Sequence, residues 1–177
     1  MKAIRIENYG SVDVLKFEDT PRPKPGIGEV LIRAQASSVN PFDCAVRARY
    51  LAGWYQNNFP LILGMDVAGT IEELGFDGNH FVPGQAVYAR VDPTRNGAYA
   101  EYVIACTEEV AVCPKSISIL EAGAMPHVAL TAWTMVETAN LSQGQTVLIH
   151  GAAGGVGHSW PGREVHCGQG VKISLPR

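Results

Sequence analysis

The stretch Gly151-Ala152-Ala153-Gly154-Gly155-Val156-Gly157 offers the clearest chemistry in this sequence of 177 residues. It follows Thr146 to His150, a short apolar run led by β-forming residues, which reads as a buried strand. A strand that runs straight into a glycine turn can offer bare backbone N–H groups to a pyrophosphate. No Cβ holds the phosphates away, and a helix opening behind the turn adds partial positive charge. The spacing is Gly-x-x-Gly-x-x-Gly rather than the usual Gly-x-Gly-x-x-Gly, so the bare pattern also fits a strand–helix turn that holds no ligand.

Composition narrows the possible partners. The chain is 46% hydrophobic and 18% charged with a net charge of −3, which gives no sign of a nucleic-acid or anionic-membrane partner. The opening MKAIRIENYG carries Lys2, Arg5 and Glu7 without an apolar core and is not read as a signal peptide. No apolar run approaches the ~20 residues of a membrane span. The cysteines Cys44, Cys106, Cys113 and Cys167 are scattered, with no Cys-x-x-Cys, so reduced thiols and a cytoplasmic location are expected rather than a disulfide framework.

The elements that must position the glycine turn come in two textures. Lys2 to Glu7 reads as a strand, with Leu15 to Asp19 as its partner. Pro21, Pro23, Pro25, Gly26 and Gly28 make a stiff connection, and Glu29 to Val39 alternates as a long strand with Arg33, Gln35 and Ser37 on the wet face. Pro41 and Asp43 fit the first turn of a short helix running to about Arg49. The aromatic and amide-rich Tyr50 to Pro60 reads as a loop packed on its own core or on a ligand. In Leu61 to Gly75, Gly64 and Gly69 interrupt an apolar strand and predict a bulge or a close backbone approach. Gln85 to Arg90 reads as a strand. Asn96-Gly97 reads as a hairpin turn with Ala98 to Ala105 as the return strand. After Pro114 the pattern turns helical. Ser118 and Glu121 form a capping box, and His127 to Asn140 places Val128, Ala132, Met135 and Val136 on one face, with Met135 and Trp133 expected in the core or at an interface.

Several segments together resemble one family, the zinc-independent, quinone-oxidoreductase-like branch of the medium-chain dehydrogenases. They are SSVNPFD (Ser37–Asp43), LILGMDVAGTIEELG (Leu61–Gly75), GAYAEYV (Gly97–Val103), ALTAW (Ala129–Trp133) and GQTVLIHGAAGGVGH (Gly144–His158). They stand in the family's order and spacing across Met1 to His158. The resemblance implies an α+β chain: a GroES-like β-barrel domain over 1–122, then the first part of an α/β Rossmann domain over 123–177, with NADPH in the cleft between them. It implies that Ala152, Ala153, Gly154, Gly155 and Val156 lie along the cofactor pyrophosphate. Asn40 and Thr131 would sit near the nicotinamide, and Tyr50 would lie on the loop walling the substrate side, with either Tyr50 or water giving a proton. Each also has a plainer reading: Asn40 as a helix cap, Thr131 bonded to its own helix, Tyr50 as packing.

No metal is expected. Zinc-using relatives read Gly-His-Glu where this chain has Gly64-Met65-Asp66, and a thioether is a poor zinc ligand beside an imidazole. Cys44 has no histidine partner and reads as a buried free thiol. The resemblance fails from about residue 159, where Pro161, Gly162, Gly168 and Gly170 fall in the expected amphipathic helix and only Val171 to Leu175 alternates. The chain is therefore expected to be a truncated member. Its implied function is NADPH-dependent hydride transfer to a small-molecule quinone or activated alkene (an enone), with no nucleic-acid or membrane partner and with homodimerisation open. The alternative is a truncated, non-catalytic GroES-like module with no productive cofactor binding.

Overall fold

The computed structural model describes residues 1–54, 57–77, 80–140 and 146–159, and the backbone of 171–174. Its contacts divide the chain into Met1–Pro126 and His127–Arg177.

In the first unit, β1 (Lys2–Ile6) pairs antiparallel with β2 (Lys16–Asp19), with Lys2 opposite Asp19, as the sequence predicts. The Pro/Gly connection then delivers the chain to β3 (Glu29–Ser37). Helix α1 (Pro41–Arg47) follows. It stops two residues short of its expected end because Arg49 turns left-handed at φ +67°. Strand β4 (Leu61–Ile62) joins β1, giving the order β2-β1-β4. Strands β5 (Asp66–Leu74), β6 (Ala86–Arg90), β7 (Tyr102–Cys106) and β8 (Val110–Val112) complete a second antiparallel sheet in the order β7-β3-β5-β6-β8. Its core holds Val30, Ile32, Val67, Ile71, Val87 and Val103, all 2% exposed or less. The β3–β5 ladder slips twice, between Leu31 and Ile32 and between Ala34 and Ala36. Such bulges bend a sheet.

The two strand glycines do what the sequence predicts. A Cβ on Gly69 would lie 2.0 Å from the Arg33 carbonyl oxygen, so β3 and β5 can approach only without one. Gly64 has φ +97°, breaks the strand between β4 and β5, and would drive a Cβ to 2.4 Å from the Tyr99 ring. The Asn96-Gly97 hairpin is not formed. Strand β6 is flanked by β5 and β8, and β7 pairs with β3 instead. Asn96 and Gly97 dock on β4: the Asn96 side-chain oxygen accepts the Ile62 N–H at 3.0 Å, and the Gly97 N–H donates to the Ile62 carbonyl at 2.7 Å. The Ala98 N–H, which a two-residue turn would bond back to the Arg95 carbonyl, donates instead to the Gly64 carbonyl at 2.9 Å.

Helix α2 (Ile119–Ala122) opens on the expected box, with the Glu121 N–H donating to Ser118 Oγ at 3.2 Å and the Ser118 N–H donating to the Glu121 carboxylate at 2.7 Å. It packs on β3 and β5. Helix α3 (Pro126–Ala139) buries Ala132 fully and Val128 and Val136 in part. Trp133 and Met135, expected in the core or at an interface, are more than half exposed. Strand β9 (Thr146–Ile149) leads through the glycine turn to the four-residue helix α4 (Gly155–His158), and β9 pairs antiparallel with β10 (Val171–Ser174). Leu148 of β9, expected to be buried, is exposed. The expected interruptions at Pro161, Gly162, Gly168 and Gly170 lie outside the described residues.

Candidate functional site

Asn40 is held where a helix begins. Its extended backbone (φ −110°, ψ 153°) precedes Pro41 at the first position of α1, and its N–H donates to Asp43 Oδ2 at 2.7 Å, one half of a capping box. Its side chain does more than cap. The Asn40 amide donates to Asp66 Oδ2 at 2.8 Å and to Ser38 Oγ at 3.1 Å, and Ser38 Oγ–H donates to the same Asp66 oxygen at 2.5 Å. Asp66 is fully buried, and Asn40 and Asp43 are each 4% exposed. A carboxylate leaves water only when donors replace it, and here Asn40 and Ser38 supply them.

A second arm starts from Asp43. Tyr99 O–H donates to Asp43 Oδ2 at 2.9 Å. Burial, and then the charge and hydrogen bond of Asp43, push the Tyr99 phenol well above the ordinary tyrosine range, so it stays a neutral donor. The Tyr99 ring reaches this place across Gly64, where any Cβ would strike it. Two buried carboxylates thus hold Asn40, Asp66 by its side-chain amide and Asp43 by its backbone N–H.

Tyr50 stands apart from this cluster. It follows α1 and is 83% exposed, with Trp54 beside it in sequence at 84%. Neither packs on the core. In the second unit, Thr131 Oγ1 donates to the His127 carbonyl at 2.7 Å, one turn back along α3. That is the plainer of its two readings, and it leaves the hydroxyl's acceptor lone pairs available.

Ala152, Ala153 and Gly154 lie between β9 and α4, and Gly155 and Val156 open α4. Gly151 turns the chain at φ +67°, and the Gly154 N–H closes the turn on the Gly151 carbonyl at 2.9 Å. A Cβ on Gly157 would lie 2.5 Å from Ala152 Cα, and one on Gly155 would lie 2.9 Å from a Val128 methyl group on α3. The loop is therefore closed by backbone packing. It carries nothing larger than a methyl group from 152 to 155, and Ala153, Gly154 and Gly155 are exposed. A cavity of about 560 Å³ is lined by Met135 and by residues of β9, the loop and α4. Bare backbone beside an open concavity fits a phosphate-bearing ligand. Among the described residues no group of three His, Cys, Asp or Glu side chains could hold a metal ion, and Met65 is 1% exposed. Cys44, expected to be buried, is an exposed free thiol, because it stands on the outward side of α1.

Sequence reasoning named Asn40 but passed over its anchors, Asp66, Asp43 and Tyr99. A signal existed: Asp66 is the lone charge in Leu61 to Thr70, and an aspartate in a buried strand needs donors of its own. Tyr99 had none, because only the tertiary fold brings it across Gly64.

The architecture defines a GroES-like half-barrel followed by the start of a Rossmann domain. Residues 26–115 match the family described as Alcohol dehydrogenase GroES-like domain. The chain belongs to that family and is of quinone-oxidoreductase type. It is 37% identical over 177 residues to the Homo sapiens NAD(P)H oxidoreductase RTN4IP1, mitochondrial, covering 89% of this chain and 44% of that protein. The quinone oxidoreductase from Coxiella burnetii superposes with a TM-score of 0.81 at 37% identity, over 89% of this chain and 51% of that one. Mycobacterial Rv1454c complexed with NADPH superposes with a TM-score of 0.79 at 34% identity, over 90% of this chain and 48% of that one. The chain thus spans about half the length of the relatives it matches.

The expectation of a cytoplasmic location is corrected by these relatives. The RTN4IP1 proteins of Bos taurus, Homo sapiens, Mus musculus and Danio rerio are all named as mitochondrial. Cys44, Cys106 and Cys113 are indeed free thiols. Reduced thiols report the redox state of a compartment, not its address.

Proposed function

We propose that this chain carries the substrate-side domain, residues 1–122, and the phosphate-binding opening of the cofactor domain, from residue 123, of an NADPH-dependent oxidoreductase acting on a small-molecule quinone or enone. The observation that carries this reading is the bare Gly151–Gly157 backbone after β9, in a chain of quinone-oxidoreductase type. When bound, the cofactor supplies the hydride. In this reading Ala152 to Val156 hold its pyrophosphate through backbone N–H groups, and Thr131 and Asn40 orient the nicotinamide end. Tyr50 borders the substrate and is a candidate proton donor. Asp66 keeps the Asn40 amide from turning away, and Asp43 holds the Asn40 backbone.

A second reading, the GroES-like module without hydride chemistry, is favoured by one observation. Strand β9 pairs antiparallel with β10, whereas the sheet of a dinucleotide-binding fold is mostly parallel. Fluorescence titration with NADPH, followed by NADPH oxidation with a benzoquinone, separates the two. Ala153→Asp puts a negative charge in the exposed loop. It should weaken NADPH binding about tenfold or more, a like-charge cost of about 1.4 kcal/mol, without moving the melting temperature. Saturable binding weakened by Ala153→Asp supports the oxidoreductase. Absence of binding to the unmodified chain refutes it.

A further inference from the structure

Arg90 ends β6 as a half-buried cation with almost nothing to hold. Its guanidinium offers five N–H donors, and among the described residues its one hydrogen bond is Nη2 to Met65 Sδ at 3.8 Å, a weak acceptor. The other well-placed arginines are satisfied. Arg5 pairs with Glu18, Arg95 with Glu29 and Glu109, and Arg22 with Glu72 and Glu73. Arg90 enters no ion pair among the described residues. The acid two positions on, Asp92, feels the charge of Arg90 but makes its hydrogen bonds from Oδ1 to Thr94, taking its N–H at 2.8 Å and its hydroxyl at 2.7 Å.

Its position is specific. Arg90 lies directly opposite Asp66 in the β5–β6 ladder, and opposed residues project from the same face. Asp66 in turn holds the Asn40 amide at 2.8 Å. A partly desolvated guanidinium thus stands across the ladder from the residue that holds Asn40, which the proposed function places at the nicotinamide end, and its natural complement is an oxyanion. Hydride transfer to a quinone creates one. The quinone gains two electrons and one proton, both carbonyl π bonds give way as the ring becomes aromatic, and one oxygen is left as the hydroquinone monoanion until Tyr50 or water protonates it. We propose that Arg90 is the substrate-oxyanion ligand of this chain, donating to the quinone oxygen and holding the charge that develops there. The proposal rests on the quinone-reductase reading for its substrate.

The test uses no cofactor and no turnover, so it can succeed or fail independently of that reading. The probe is 4-nitrophenol, titrated into the whole chain while its phenolate absorbance is followed across pH. The unmodified chain should bind 4-nitrophenolate about tenfold tighter than 4-nitrophenol, so the bound phenol titrates about one pH unit lower than the free one. Arg90→Met should abolish the preference. Arg90→Lys should keep part of it, because the charge survives but the planar fork does not. Near-identical circular dichroism of the three proteins establishes that the variants fold. Equal affinity for phenol and phenolate in the unmodified chain, or a preference that survives Arg90→Met, overturns the proposal. So does an Arg90-dependent preference for inorganic pyrophosphate over the phenolate, which would make Arg90 a phosphate ligand instead.

Discussion

Tyr99→Phe removes one oxygen and leaves the ring in place over Gly64, so it isolates the Tyr99–Asp43 bond from packing. At neutral pH that bond joins a neutral donor to a carboxylate, and such bonds contribute about 1.5–3 kcal/mol. For a chain of this size each kcal/mol shifts the melting temperature by about 2–4 °C, so a loss of roughly 3–12 °C is expected. The pH dependence is more diagnostic. Folding raises the phenol above its ordinary value of 10.0 through burial first and Asp43 second. Below pH 10 the folded and unfolded chains both keep this proton, and the stabilisation is complete. Above it the unfolded chain releases the proton while the folded one retains it, so the advantage of Tyr99 over a phenylalanine at the same position shrinks as pH rises. One whole proton corresponds to about 1.4 kcal/mol per pH unit. Tyr99 is only partly buried, and solvent screening should bring the slope below that bound. Urea denaturation of both proteins at intervals from pH 7 to 11 measures the margin directly. A margin under about 0.5 kcal/mol at pH 7, or one constant through pH 11, would show that Asp43 does not hold the phenol as described.

Three further outcomes follow from the same geometry. Gly69→Ala forces a methyl group to within 2.0 Å of the Arg33 carbonyl oxygen. It should destabilise the chain by about 3 kcal/mol in urea denaturation, and a loss under 1 kcal/mol would mean that β3 and β5 can separate cheaply. Asp66→Ala strips the acceptor from both Asn40 and Ser38. Loss of a fully buried acceptor from the Asn40 amide and the partly buried Ser38 hydroxyl should cost about 1–3 kcal/mol, seen in the same assay, while Ser38→Ala should cost less. Ser118→Ala removes the cap of α2 and should cost about 1 kcal/mol, with Ser118→Asp restoring most of it.

Much of this was legible in the residues because the physics is local. A cap needs only Ser118 and Glu121, three positions apart. A helix start needs only Asn40, Pro41 and Asp43. Glycines inside the Leu61–Gly75 run announce close approach whatever the partner turns out to be. What was not legible depends on distant partners. Asn96-Gly97 carries a strong turn signal, yet β4 claims its hydrogen bonds. Trp133 and Met135 look like core residues by type, but their exposure depends on what covers α3. Asn40 was visible as a cap and as a family position. Its side-chain bond to Asp66 was not, since that pairing spans 26 positions and requires β3 and β5 to lie together.

The Asn40 network also bears on the order in which this unit can fold. Helix α1 and its half of the capping box close over three residues and can form as soon as the chain collapses. The bond that aims the Asn40 side chain closes a loop of 26 residues to Asp66, and Asp43, which holds the Asn40 backbone, closes one of 56 residues to Tyr99. Long loops bear their closure entropy before any contact rewards it, so such contacts form late. A partly folded intermediate would then hold Asn40 as a competent cap with an unaimed amide. A ligand that recognises the aimed amide binds only the finished unit, and its binding energy then slows unfolding without hastening the first steps of folding.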